Sequence, residues 1–226
     1  MIVSGAMSIQ AAAAGAGAGP DAVAGASDGG EATTVADRLV ESARSLMWQA
    51  GGPSFTVTQV VAAAGSSLKS FYRCFGSKDE LLVALFADDA RRGAEALATL
   101  VERRPPEDRL RTAVVGLFGF LTRDGQLPYA AALVGERLRL AESRPDELRA
   151  VHRPYLELFG RELSASSARG ETRPGNAARD ARTLFHLVSS HLHALICHEI
   201  EDPPARVAED LWAFCAAALR GAEEEA

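Results

Sequence analysis

Four histidines, His186, His191, His193 and His198, stand on one apolar segment with Cys197 beside the last of them. Imidazole nitrogens and thiolates bind zinc and related ions, so this cluster is the first place where chemistry is to be sought. Its spacing argues against an ion. Ligands that clamp one metal from a helix stand four apart, and only His193 and Cys197 do so, which leaves the coordination set short. His186 shares a side with His193, and His191 with His198. We expect no metal, and read the histidines as hydrogen-bonded interface residues.

The thiols are the second candidates. Cys74, Cys197 and Cys215 are odd in number, far apart and embedded in apolar helical patterns, as in a chain kept reduced in the cytoplasm. A cysteine nucleophile beside a histidine would make a thiol enzyme. The sequence holds no Gly-rich phosphate loop, no HExxH pair and no serine-nucleophile elbow, and no cofactor is expected.

The third group is cationic. Between Gly51 and Lys78 the charged residues are Lys69, Arg73 and Lys78, with no acid among them, although the formal net charge of the whole chain is -6. A chain of that charge does not coat nucleic acid or anionic membrane by bulk attraction, so any contact with phosphates has to be local. With 47% hydrophobic and 24% charged residues, the composition is that of a globular protein with a packed core. No apolar run is long enough to span a bilayer, and no membrane association is expected.

The elements that would position these residues are helices. Residues 1–32 are rich in Ala and Gly and read as a disordered tail without a secretory signal, with Met7 as an alternative start. From Thr34, an N-cap, Val35, Leu39, Ala43, Leu46, Met47 and Ala50 recur at helical spacing until Gly51-Gly52-Pro53 stops them. Thr56 and Gln59 fit a capping box for a second, two-turn helix with Val57, Val60, Val61 and Ala64 inward, closed by Gly65. Ser67 caps a third, for which the spacing predicts a buried stripe of Leu68, Phe71 and Phe75. Ser77-Lys78-Asp79-Glu80 opens a fourth with another capping box, where Lys78 and the helix N-terminus would share a phosphate. Two short helices about a glycine turn have the layout of a helix-turn-helix.

Thr56, Ala64-Gly65, Ser67, Tyr72, Phe75, Ser77-Lys78 and Leu81 stand at the offsets of a known signature, and the chain resembles the tetracycline-repressor (TetR) family over roughly Thr34 to Phe86. The resemblance implies that Thr56, Tyr72 and Lys78 touch phosphates of double-stranded DNA while Ser67, Lys69 and Ser70 face the groove; the charge pattern adds Arg73. Lys69 and Ser66 depart from the small residue and the valine common in relatives, which would shift base preference. The implied fold is all-α, with a helix-turn-helix domain at residues 33–78, a helical effector-binding and dimerisation body at 79–221, and an acidic tail at 222–226.

Past Arg92 the punctuation at Pro105-Pro106, Gly125 to Pro128, Arg144-Pro145 and Gly170 to Gly175 divides further amphipathic helices. By resemblance, the body holds an apolar small-molecule effector, and residues about 176–219 pair with a second copy. Candidate pocket residues are Phe118, Phe120, Tyr129, His152, Phe159 and Trp212, since such cavities are mostly apolar with a few polar groups. Asp202 and Pro203 would open the last helix, with Val207, Leu211, Phe214, Cys215 and Ala218 as its buried stripe. The resulting expectation is a cytoplasmic, dimeric, ligand-released repressor and not an enzyme; a thiol enzyme and a helical adaptor are the alternatives.

Overall fold

The computed structural model describes residues 34–122 and 127–220, so the expected tails at 1–32 and 222–226 and the Gly125 loop lie outside it. Among the described residues the elements are α1 (Val35–Ala50), α2 (Val57–Ala63), α3 (Leu68–Cys74), α4 (Lys78–Glu102), a 3-10 turn (Pro106–Asp108), α5 (Arg109–Thr122), α6 (Leu127–Leu140), α7 (Pro145–Val151), α8 (Arg153–Ala168), α9 (Ala177–Ile196) and α10 (Pro204–Arg220). The class is all-α. No helix among these residues is long and apolar enough to cross a membrane.

Local chemistry sets the first boundaries. Thr34 Oγ1 accepts from Asp37 N–H (3.1 Å) and Asp37 Oδ2 accepts from Thr34 N–H (2.9 Å), a complete capping box. Gly51, at φ 63°, ends α1. Thr56 and Gln59 repeat the box on α2. After α2, Gly65 adopts φ 57° and lets Ser66 N–H reach back to Val61 O (2.8 Å), turning the chain within two residues. At Ser77 the box is half-made: Ser77 Oγ accepts from Glu80 N–H, but the Glu80 carboxylate accepts from Gly76 N–H (2.7 Å) and pairs with Arg144 (3.1 Å).

Two buried clusters meet along α4. Leu39, Ala43 and Met47 of α1, Val60 and Val61 of α2, and Phe71 and Phe75 of α3 and its cap close around Leu81, Leu82, Leu85 and Phe86, with Leu140, Leu148 and Val151 from α6 and α7 beneath them. The second half of α4, through Leu97 and Val101, joins α5, α8, α9 and α10. A helix of this length spans about 37 Å, so α4 is the common wall of both clusters.

Two expected buried stripes differ. Leu68 is 46% exposed, because of the seven residues of α3 only Phe71 is buried, joined by Phe75 at the C-cap, and the first helical position turns outward. Phe214 is 66% exposed and Ala218 is exposed, since the inner face of α10 is Val207, Ala208, Leu211, Cys215 and Leu219. α10 begins at Pro204, one residue later than expected, with Pro203 O accepting from Arg206 and Val207. A further break falls at His152, where α7 gives way to α8 without a side-chain cap.

Candidate nucleic-acid interface

α3 is held from below and bare above. Phe71 is fully buried, with its ring 5.2 Å from Tyr72 and 5.8 Å from Phe75. Ser67 Oγ accepts from Ser70 N–H and donates to Ser70 Oγ (both 3.1 Å), so these two hydroxyls are tied to the first turn of the helix. One helical face then carries Leu68, Lys69, Tyr72 and Arg73, all exposed. Among the described residues neither Lys69 nor Arg73 meets a carboxylate. Thr56 is exposed at the N-terminus of α2, its hydroxyl engaged in the capping box.

The two lysines of the whole chain are Lys69 and Lys78. Lys78 is differently placed from Lys69: its Nζ donates to Pro53 O (2.5 Å) and Phe55 O (2.7 Å) and sits 4.5 Å from the centre of the Phe55 ring. The ammonium therefore pins the α1–α2 connection to the start of α4, and burial holds it below the ordinary lysine range. With three N–H groups and two carbonyls, one proton is left for a further acceptor.

Beneath this surface a polar network joins α1, α4 and α6. The Arg44 guanidinium of α1 reaches Asp88 (2.5 Å), Asp89 (2.7 Å) and Glu41. Tyr129 Oη, on the first turn of α6, donates to the other Asp89 oxygen (2.6 Å), and its ring lies 5.4 Å from Trp48 of α1. Burial pushes the Asp89 carboxyl up, against the opposing pull of Arg44 and Tyr129. Lower on α6, Arg139 pairs with Asp79 (2.6 Å), which holds that carboxyl below its usual range. Sequence reasoning missed this network because, Arg44–Glu41 apart, its bonds link residues 40 or more positions apart in the chain.

The six residues expected to line a pocket stand in different settings. Phe118 and Phe159 are packed within the core, Phe120 and Trp212 lie against its edge, Tyr129 belongs to the Asp89 network, and the His152 ring rests 4.7 Å from Phe185. A surface groove of about 390 Å³ runs instead between α8 and α9, past Leu156, Gly160, Ala178 and Arg182, and none of the six lines it. Of the thiols, Cys215 is buried and its pKa is raised by desolvation, which disfavours a thiolate, whereas Cys197 Sγ is exposed 3.5 Å from His193 Nε2.

Residues 39–85 match the model of bacterial regulatory proteins of the tetR family. No curated protein matches the sequence. Among solved structures, the chain is similar to the transcriptional regulator FadR from Bacillus subtilis in complex with stearoyl-CoA, at 14% identity and a TM-score of 0.64 over 80% of this chain and 98% of that one. It is also similar to NemR of E. coli in its reduced form (17%, TM-score 0.61, 84% and 100%). The TetR family transcriptional regulator PfmR from Thermus thermophilus is a third (22%, TM-score 0.52, 83% and 100%). At these identities the likeness is one of fold.

Proposed function

We propose that the chain, whose residues 39–85 match the tetR-family model and whose fold is shared with solved TetR-family regulators, is a cytoplasmic transcriptional repressor, released from a near-palindromic operator by a small molecule. The observation that carries the reading is the outer face of α3. Leu68, Lys69, Tyr72 and Arg73 form an exposed, acid-free surface on a helix anchored by Phe71. In a major groove Lys69 is a donor to guanine edges, Leu68 is an apolar partner for a thymine methyl, and Arg73 and Tyr72 reach the backbone. Thr56, Ser67, Ser70 and the remaining Lys78 proton add phosphate and groove contacts at the helix N-termini.

Such a site is read by two copies. Ala213, Phe214, Ala217 and Ala218 give α10 an exposed apolar face beside α9, suited to pairing residues about 176–219 with a second copy. Two α3 helices would then enter successive major grooves about 34–36 Å apart. Effector control needs a ligand that prefers one spacing over another. Helix α6 is the element suited to report it, because Tyr129 and Arg139 tie it to α1 and α4 at both ends.

Selection from randomised duplex DNA by the purified protein, followed by gel-shift titration across salt, tests the reading. An enriched near-palindrome whose affinity falls steeply with salt is expected. Failure to enrich any sequence would overturn it.

A further inference from the structure

Two polar groups lie on neighbouring elements of the body, Arg137 on α6 and His152 at the end of α7, which packs against it. His152, at the break between α7 and α8, has a buried Nε2 with no hydrogen-bond partner. Its ring is pressed against Phe185 of α9, and Phe185 stacks in turn on Tyr155 at 6.0 Å. Arg137 of α6 is half-buried and meets no acid among the described residues. The half-buried arginines Arg44 and Arg144 behave otherwise: each sits on carboxylates. A buried nitrogen without a partner and a desolvated guanidinium without an anion are both costly, and one acceptor-rich anion would satisfy both. The two groups are close enough for the Arg137 charge, after burial itself, to hold the His152 ring neutral, with a pKa lowered to about 4; His186 adds to the effect.

We propose that Arg137 and His152 form a carboxylate-binding site, and that the small molecule answering to it is an organic acid with an apolar body. A guanidinium offers two parallel N–H groups and a neutral imidazole one, which suits the two oxygens of a carboxylate. Phe185 and Tyr155 supply the apolar surface beside it. This deepens the effector-responsive reading and rests on it for its regulatory meaning: Arg137 lies between Tyr129 and Arg139 on the helix that grips α1 and α4, so an anion drawing on Arg137 pulls on the support of the DNA-binding helices.

The test compares octanoate with its primary amide at millimolar concentration, by thermal shift and calorimetry on the full chain. Octanoate is expected to raise Tm and to bind about tenfold or more tighter than octanamide, the margin of a charge-assisted hydrogen bond. Arg137→Gln should abolish that preference and Arg137→Lys keep part of it, with helicity by circular dichroism confirming that each variant folds. Ligand-free Arg137→Gln should melt no lower than the parent, whereas loss of a merely structural arginine would lower Tm. Equal binding of acid and amide, no binding of either, or an unchanged preference in Arg137→Gln would overturn the site. Gel shift separates the two readings. Octanoate bound through Arg137 without any change in DNA affinity upholds the site and sinks the effector role. Release from DNA by a neutral compound, with octanoate unbound, does the reverse.

Discussion

Leu68 and Lys78 exchange the roles that their residue types suggest. The leucine faces solvent at 46% exposure, while the lysine is bonded to two carbonyls and stacked on Phe55. Leu68→Ala should leave thermal stability within about 0.5 kcal/mol, where a core leucine would cost about 2–5 kcal/mol. It should reduce the preference for the selected operator over random DNA by about 1 kcal/mol, read in competition gel shifts. Lys78→Met keeps the alkyl stem and removes the ammonium. It should lower stability by about 1–2 kcal/mol in denaturant titration, because two carbonyls lose a charged donor. It should also weaken binding to all sequences and reduce the salt slope by about one. A stability loss with an unchanged slope would assign Lys78 to scaffolding alone.

At the scale of elements, α4 and α6 do the positioning. α4 crosses α8 at Gly93, where a Cβ would fall inside the Tyr155 hydroxyl. On an open helix Gly→Ala stabilises by about 1 kcal/mol. Here Gly93→Ala should destabilise by about 1–3 kcal/mol through overpacking, measured as a fall in Tm. Adding Tyr155→Phe, which removes the obstructing oxygen, should recover part of the loss. A rise in Tm for Gly93→Ala alone would contradict the close approach. The starts of the first three helices were legible beforehand: Thr34, Thr56 and Ser67 cap them as expected, the first two in complete boxes with Asp37 and Gln59. The break at His152 was not, because no cap or glycine marks it.

For the whole molecule, the pH dependence of stability has an identifiable source. His152 is neutral when folded, with a pKa of about 4 against the ordinary 6.5, held down by burial first and then by Arg137 and His186. The unfolded chain therefore binds the extra proton between those values. Stability is full above pH 6.5 and is lost as pH falls toward 4, by about 3 kcal/mol. Denaturant titrations across that window should show the slope, and His152→Gln should flatten it. An identical slope in the variant would place the effect elsewhere, on carboxylates such as Asp79 and Glu80, which their hydrogen-bond partners hold below their ordinary range.

What the sequence determined alone is whatever local chemistry decides: the all-helical class, the caps, the left-handed turn at Gly65 and the acid-free cationic stretch, each built from residues a few positions apart. The face that each short helix hides was decided by the tertiary structure. Seven residues of α3 have too little periodicity to place Leu68, and α10 turned Phe214 outward although its spacing allowed either side. The same holds for partnership. Arg44 and Arg137 are alike as letters, and only the packing of α1, α4 and α6 supplies carboxylates to Arg44, while Arg137 meets none among the described residues.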